Sequence, residues 1–268
     1  MGLVTAAPAS LAHLVERVWD WETAPQPFRL ERVLPSAGAG LILNLFEDET
    51  RVYDECRRPQ RLAAVTLDGP RTTSVIIDSV EQTAVMGVVF RPGGAARMFR
   101  ERMDRLHDRS VDLDALLGAE VERLRSRLLE APGARARLEL LCDWLARRAP
   151  AAERADPLEH ALARLRAVPS VDGLSAVARE LGVSPRRLTT QFRERVGLSP
   201  KRYLRLQRFR RLVADAAQAP RIDWVALAAD GGYCDQAHMT HEFRRFCGVT
   251  PGAWMRRGGI WPDHVPLD

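Results

Sequence analysis

Short apolar runs fill the chain up to about residue 92. They are four to eight residues long, are rich in β-branched residues and are separated by turn signals. LILNLF (41–46) follows PSAGAG, RLAAVTL ends at Asp68-Gly69-Pro70, and TTSVIID and TAVMGVVF come next. Runs of this length and spacing predict short antiparallel strands that form a small barrel or sandwich.

Beyond the last of these strands, apolar residues recur at helical spacing. Met98, Phe99 and Met103 indicate a first helix after RPGG, and two longer amphipathic helices follow in DLDALLGAEVERLRSRLLE and RARLELLCDWLARR. Their apolar stripes either mediate dimerisation or pack on their own barrel, and the sequence leaves both open. APAAERADP (149–157) reads as a linker, so we predict a β-rich domain over 1–150 and a helical domain over 151–268.

The helical part contains one small unit twice. LGVSPRRLTTQFRERVGLSP (181–200) and GGYCDQAHMTHEFRRFCGVTP (231–251) share Phe, Arg, Gly and Pro residues at an offset of 51. Gly182 and Gly232 stand where the chain must turn, and Ser184 and Asp235 are well suited to cap the helix that follows. Two short helices joined by a tight glycine turn predict two helix-turn-helix units, at about 174–196 and 223–247.

The second helix of each unit has one apolar face and one polar face. Leu188, Phe192 and Val196 point inward in the first copy, as do Met239 and Phe243 in the second. Side chains that point outward from such a helix contact base edges, and we predict this role for Arg186, Arg187, Thr189, Thr190, Gln236, Ala237, Thr240 and His241. Those nearer the helix ends contact phosphate, namely Arg193, Arg244 and Arg245. The alternative is an exposed helix with only phosphate or water contacts.

An arginine-rich helix joins the two units. KRYLRLQRFRRLVADAAQ has an apolar stripe and, at about 1.5 Å per residue, spans about 25 Å. It could therefore hold the units near the separation of successive major-groove segments, about 34 Å. Arg205, Arg208 and Arg211 on this helix are solvated, paired or in contact with DNA; the sequence does not decide between these roles.

Charge is distributed unevenly along the 268 residues. Residues 170–257 carry 16 Lys and Arg against 8 Asp and Glu, whereas the rest of the chain is slightly acidic. A basic end indicates contact with a polyanion or a solvated basic face. No apolar run approaches the roughly 20 residues needed to span a membrane. Cys56, Cys142, Cys234 and Cys247 are scattered, which argues against disulfides and a zinc site and fits a reducing cytoplasm.

The duplicated units resemble the C-terminal DNA-binding domain of the AraC/XylS family of bacterial transcription regulators. The first unit matches the family pattern at Ala178, Gly182-Val183-Ser184-Pro185, Leu188, Phe192, Gly197, Ser199-Pro200 and Tyr203. The second matches at Gly232-Tyr233, Asp235, His238, Phe243, Gly248, Thr250-Pro251 and Arg256. The sequence departs from the pattern at Ala237, Met239, His241 and Trp254, where Ser, Phe, Arg and Tyr are usual.

The N-terminal part resembles the cupin-like sensor domain of some members of that family, through LPSAGAGLILNL and GVVFRPGG. Trp19, Trp21 and Phe28 either line a pocket or form barrel core, and Arg91 either holds an anion or ends a strand at the surface. A metal-dependent cupin enzyme is the rival reading. Only His13 and His107 occur in the first 150 residues, so we expect no enzymatic activity, metal or cofactor.

The combined reading is an α+β protein in which a cupin-like β-barrel with appended helices precedes an all-α domain of two helix-turn-helix units. We predict a cytoplasmic, sequence-specific DNA-binding regulator that responds to an effector. An alternative is control by a protein partner that docks on the barrel. The resemblance implies promoter DNA, RNA polymerase and a small-molecule effector as partners. A homodimer is the prediction if the apolar stripes mediate dimerisation, and the lack of a long apolar run predicts no membrane partner.

Overall fold

The computed structural model describes residues 2–24, 26–151, 156–167, 171–219, 222–257 and 263–267. Strands dominate the first 112 residues, as the short apolar runs predict. The strands described are β1 (Leu3–Ala6), β2 (Val15–Glu22), β3 (Leu30–Val33), β4 (Gly40–Asn44), β5 (Glu49–Tyr53), β6 (Pro59–Ala63), β7 (Val65–Asp68), β8 (Val75–Asp78), β9 (Ala84–Phe90), β10 (Ser110–Asp112) and β11 (His264–Pro266).

These strands form two antiparallel sheets. One has the order β1-β2-β9-β4-β7-β10, and the other β11-β3-β8-β5-β6. In the first sheet Leu41 of β4 pairs with Val88 of β9 on one side and with Leu67 of β7 on the other. Because side chains alternate along a strand, Leu41 and Leu43 lie on one face of this sheet and Ile42 lies on the other.

Helices make up most of the remaining chain. Two short ones, α1 (Gly94–Phe99) and α2 (Asp114–Leu117), adjoin the strands. The longer and later ones are α3 (Glu120–Glu130), α4 (Ala134–Arg148), α5 (Pro157–Ala167), α6 (Val171–Glu180), α7 (Pro185–Val196), α8 (Pro200–Gln218), α9 (Trp224–Asp230), α10 (Gln236–Cys247) and α11 (Pro251–Arg257).

Helices α3 and α4 cover the outer face of the six-stranded sheet. Leu124 of α3 and Leu141 of α4 belong to the same buried cluster as Leu41 and Val88. Arg137 of α4 is bound to the buried carboxylate of Asp20 on β2, with Nε and Oδ2 2.6 Å apart. The apolar stripes of the two helices therefore pack on their own barrel, and they no longer argue for dimerisation through these helices.

The C-terminal helices have a buried core of their own, formed by both repeated units and by α8 between them. Phe192 of the first unit packs edge-on against Tyr203 of α8, with ring centroids 5.3 Å apart. Phe243 of the second unit packs edge-on against Phe209 of α8 at 5.5 Å. Both units are thus fixed to the same central helix by buried aromatic contacts.

The two parts of the chain interlock at β11. This strand follows the last helix and pairs with β3 of the N-terminal barrel, with Val265 opposite Arg32. In the other direction, Leu34 and Ala37 of the barrel are buried in the helical core. The sequence analysis did not anticipate β11, because three residues that include a proline give no strand periodicity.

No helix in the described ranges is long and apolar enough to cross a membrane.

Candidate nucleic-acid interface

The first repeated unit consists of α6 and α7. Gly182 has φ 65° in the turn between them, a conformation that glycine adopts without strain. The Ser184 hydroxyl accepts a hydrogen bond from the Arg187 backbone N–H at 3.1 Å, and Pro185 occupies the first position of α7. Both features start the helix where the sequence pattern places it.

The second unit consists of α9 and α10 and repeats this construction. The Asp223 carboxylate caps α9 by accepting from the backbone N–H groups of Val225 and Ala226. Gly232 turns the chain at φ 70°, and Asp235 accepts from the His238 N–H at 2.7 Å to begin α10. Gly182 and Gly232 are 50 residues apart, whereas Phe192 and Phe243 are 51 apart, so the second turn contains one extra residue.

The predicted inward faces of α7 and α10 are buried. Leu188, Phe192 and Val196 form the core side of α7, and Met239 and Phe243 do the same in α10. Buried residues three and four positions apart fix the rotation of each helix about its axis. This rotation determines which side chains are left outside.

The predicted DNA-contact residues lie together on the outer faces of these two helices. Most of them are exposed: Arg186, Arg187, Thr190, Arg193, Gln236, Ala237, His241, Arg244 and Arg245. Thr189 and Thr240 are half-buried. Within the part of the chain that the structure describes, none of these side chains makes a hydrogen bond or an ion pair. Each helix therefore presents a ridge of mostly polar side chains, and these have no partner among the described residues.

Glu242 is a functional position that the sequence analysis missed. It lies on α10 among the predicted contact residues but points inward, with 1% of its surface exposed. Its Oε1 accepts from Arg205 Nε at 2.7 Å, and its Oε2 accepts from Arg208 Nη2 at 3.2 Å. Arg205 and Arg208 are therefore paired inside the domain, whereas Arg211 is exposed. The sequence offered one signal for such a buried acidic partner, namely two arginines three positions apart on α8.

Arg208 extends this network to the turn of the second unit. Its Nη1 donates to the Gly232 carbonyl at 3.1 Å, and its guanidinium lies 4.6 Å from the centroid of the Tyr233 ring. Burial, with the Glu242 charge second, raises the pKa of Tyr233 above its ordinary value. The joining helix is thus connected to the second unit by ionic, cation–π and backbone contacts together.

Both ridge-bearing helices end against the N-terminal domain. α7 ends at Gly197, where an added Cβ would lie 2.3 Å from Pro70 Cγ, and α10 ends at Gly248, where it would lie 2.7 Å from Arg32 Cζ. Both glycines have positive φ, as helix-ending glycines often do. At Gly197 the added Cβ would also lie 2.7 Å from the Met103 carbonyl oxygen, so a side chain does not fit there. At Gly248 the end of the Arg32 side chain would have to shift.

A cavity of about 640 Å³ is lined by strands of both sheets, by the C-terminal half of α8 and by β11. Trp19 and Trp21 line this cavity, in agreement with the pocket-lining alternative predicted for these residues. Phe28 is half-buried and is not among the described residues that line the cavity. Arg91 donates from Nε to the Ala12 carbonyl at 2.6 Å, which fits a strand-ending arginine held by the backbone.

The histidines of the N-terminal domain lie in separate places. His13 Nε2 is 3.2 Å from the Pro150 carbonyl oxygen, and His107 Nε2 is 3.1 Å from the Thr72 hydroxyl. Among the described residues, no group of three or more His, Cys, Asp or Glu is placed to hold a metal ion.

Two domain families match this chain. A domain family of unknown function, DUF6597, matches residues 4–112, and a helix-turn-helix domain family matches residues 177–257. The second match contains α7 to α11 and both polar ridges. The C-terminal part of the chain is an AraC-type helix-turn-helix domain.

A curated relative matches part of this chain. It is the HTH-type transcriptional regulator GlxA of Rhizobium meliloti (strain 1021), which is 39% identical over 88 residues. The match covers 32% of this chain and 26% of that protein. The chain thus matches about a quarter of the length of this relative.

Solved structures align with different parts of the chain. ToxT from Vibrio cholerae aligns over 95% of this chain and 98% of that one, at 9% identity with a TM-score of 0.48. A regulator with an AraC-type DNA-binding domain from Chromobacterium violaceum aligns over 36% of this chain and 86% of that one, at 22% identity with a TM-score of 0.32.

Proposed function

We propose that this protein is a sequence-specific DNA-binding transcription regulator whose AraC-type domain reads two successive major-groove segments. The pair of polar ridges on α7 and α10 carries this proposal, because their side chains are exposed and have no partner among the described residues. A helix of this kind enters the major groove with its polar face toward the base edges. The partial match to an HTH-type transcriptional regulator supports it.

The length of α8 agrees with binding from one side of the duplex. This helix has 19 residues and is therefore about 28 Å long. Successive major-groove segments on one side are about 34 Å apart. The buried contacts of Phe192 with Tyr203 and of Phe243 with Phe209 fix each unit to α8.

In the proposed complex the exposed residues have two roles. Arg186, Arg187, Thr189 and Thr190 of α7 contact base edges in one segment, and Gln236, Ala237, Thr240 and His241 of α10 contact them in the next. Arginine suits guanine and glutamine suits adenine, because each can make two parallel hydrogen bonds to that base. Arg193, Arg244 and Arg245 contact phosphates and set the register.

Affinity for duplex DNA is expected to fall steeply with salt. Each phosphate contact contributes about −0.9 to the slope of the logarithm of the association constant against the logarithm of salt concentration. Three such arginines therefore predict a slope of about −3 or steeper. The slope is measured by fluorescence anisotropy of the full-length chain on labelled duplex. Replacing Arg193, Arg244 and Arg245 together by Ala should make the slope about 2–3 units shallower. Arg58→Ala, at an exposed arginine of the barrel, is the matched control and should leave it unchanged. A flat salt response of the unaltered protein would contradict groove binding.

Replacing Arg186 by Ala is expected to relax the preference for one base pair. The cost at that position is about 1–3 kcal/mol, the value of a good bidentate contact. It is measured by comparing affinities for a selected site and its single-base variants. Arg193→Ala is the matched control and should weaken binding about equally on every sequence. If Arg186→Ala also weakens binding equally on all sequences, Arg186 contacts only phosphate.

We further propose that the N-terminal cavity receives a small-molecule effector. Its wall includes Arg210, Val213 and Ala217, which lie on the same helix that joins the two DNA-binding units. A bound molecule would therefore contact α8, the helix that sets the spacing of the two ridges. The cavity has the size of ordinary ligand-binding pockets. Control by a docked protein partner is the second candidate. The cavity favours the small molecule.

Cytoplasmic location and contact with RNA polymerase stay predictions. A homodimer also stays a prediction, but the apolar stripes of α3 and α4 no longer support it, because they pack within the chain.

A further inference from the structure

A second pocket, of about 270 Å³, lies where the barrel meets the helical domain. Its barrel side is formed by His13 and residues 91–94, and its helical side by α5 and by Arg195 in the last turn of α7. None of its described lining residues lines the larger cavity. The pocket is therefore separate from the proposed effector site.

The described lining of this pocket contains three arginines and one carboxylate. Arg195 is already paired, since its Nη1 donates to Oδ1 of the buried Asp156 at 2.8 Å. The carboxylate, Glu159, is also paired, because its Oε1 accepts from Arg97 Nη1 at 2.5 Å. Both of these charged groups are therefore neutralised within the protein.

Arg91 and Arg166 are the other two arginines of the lining. Arg91 Nε donates to the Ala12 carbonyl at 2.6 Å, and Arg166 Nε donates to the Leu162 carbonyl at 3.2 Å. Among the residues that the structure describes, the terminal nitrogens of both side chains have no hydrogen-bond partner, and neither arginine is paired with a carboxylate. Two unpaired positive charges thus line one pocket, one from the barrel and one from α5.

We propose that this pocket binds a small phosphate compound, whose phosphate is bound by Arg91 and Arg166 together. A phosphate monoester carries nearly two negative charges at pH 7, which matches the two unpaired cations, and a guanidinium group can bind two phosphate oxygens in parallel. A carboxylate would neutralise only one of the two arginines. The pocket is near the lower end of ligand-pocket sizes, so the rest of the compound is small.

The bound phosphate would connect the two domains. Arg91 directly follows β9 of the barrel, whereas Arg166 lies in the last turn of α5, which contacts α7. The two positive charges repel each other, whereas a dianion attracts both of them to one point. Phosphate binding would therefore hold α5 against the barrel, close to the C-terminal end of α7.

A phosphate group of bound DNA has the same chemistry as a small phosphate compound. We assign the pocket to the small compound because it lies between two domains, near the end of α7 that meets the N-terminal domain. Its described lining contains none of the residues of the polar ridges. The inference does not rest on the proposed function, because a small phosphate compound could bind here whether or not the ridges bind DNA.

Isothermal titration calorimetry of the full-length protein at pH 7 tests the ligand class. The probes are inorganic phosphate, ribose 5-phosphate, ribose and acetate, at matched ionic strength. We expect the phosphate probes to bind at least about tenfold more tightly than ribose or acetate, a difference of about 1.4 kcal/mol. Absence of binding by both phosphate probes overturns the proposal, and so does acetate binding of equal strength.

Variants of the two arginines establish where the phosphate binds. Arg91→Gln and Arg166→Gln should each lower the phosphate affinity at least about tenfold, because each removes charge-assisted hydrogen bonds to the phosphate. Arg164→Gln, two positions away on α5, is the matched control, because Arg164 is exposed and is not in the described lining. It should leave the affinity unchanged. Circular dichroism confirms folding, and unchanged affinity in either folded pocket variant overturns the proposal.

A second control concerns the polar ridges, whose arginines could also bind phosphate. The variant in which Arg193, Arg244 and Arg245 are replaced by Ala should keep the phosphate affinity of the unaltered protein. Loss of phosphate binding in this variant, together with unchanged binding in the two pocket variants, would place the phosphate on the ridges and overturn the proposal.

DNA binding by the pocket variants distinguishes a small compound from a DNA phosphate. In phosphate-free buffer, Arg91→Gln and Arg166→Gln should keep the DNA affinity and the salt dependence of the unaltered protein. A slope shallower by about one unit for each replaced arginine would mean that these side chains bind the DNA backbone, and the assignment to a small compound would be wrong. Failure of the unaltered protein to bind DNA would contradict the regulator but leave the phosphate site standing.

Discussion

Replacing Phe243 by Ala is expected to lower the free energy of unfolding of the AraC-type domain by about 3–5 kcal/mol. Phe243 is fully buried on α10, and its ring packs edge-on against Phe209, Trp224 and Trp254 at centroid distances of 5.5 to 6.0 Å. Truncation removes these contacts and leaves a cavity between α8, α9 and α11. The rigid surroundings can collapse only partly, which explains the size of the effect.

Chemical denaturation followed by far-ultraviolet circular dichroism measures this loss. Phe46→Ala is the matched control, because Phe46 is 57% exposed and its removal should change stability by less than about 0.5 kcal/mol. The Phe243 variant should also lose contact with one of the two groove segments. An unchanged free energy of unfolding would mean that the inward face of α10 has been assigned to the wrong side.

Replacing Glu242 by Ala should destabilise the second unit by about 3 kcal/mol. The buried carboxylate is the shared partner of Arg205 and Arg208, and its loss leaves two guanidinium groups in a partly buried site without a counter-charge. Both arginines keep a quarter to a third of their surface exposed, so hydration offsets part of the cost. We therefore expect a value near the lower end for a broken buried pair.

The matched control for this variant removes a carboxylate at the surface. Glu139 pairs with Arg135 across one turn of α4 with both side chains mostly exposed, and Glu139→Ala should cost less than about 1 kcal/mol. The same denaturation experiment measures both variants. Equal effects at Glu242 and Glu139 would show that the α8–α10 network does not stabilise the domain.

The elements that the sequence predicted well are those with local signals. Ser184 and Asp235 cap the helices that they precede, and the apolar residues of α7 and α10 are buried at the expected spacing. A cap or a helical stripe depends on residues within one or two turns, so it can be recognised without knowledge of the rest of the fold. The outward face of each helix follows directly from the inward one. Its roles toward DNA stay predictions.

The features that could not be predicted depend on contacts between distant segments. Glu242 reads as one more polar residue in HEFRRF, because its partners lie 34 and 37 residues earlier on another helix. β11 has three residues and acquires its structure only by pairing with β3. The stripes of α3 and α4 fit a partner subunit or their own barrel equally well until the position of the six-stranded sheet is known.

The paired glycines at the ends of α7 and α10 have a consequence for how a signal could spread. α7 and α10 each meet the N-terminal domain at the glycine that follows the last turn, with Gly197 beside Pro70 and Gly248 beside Arg32. A rotation of that domain against the helices would displace both helix ends, and the two polar ridges would change orientation together. A methyl group introduced at Gly197 alone would displace only α7 from the N-terminal domain.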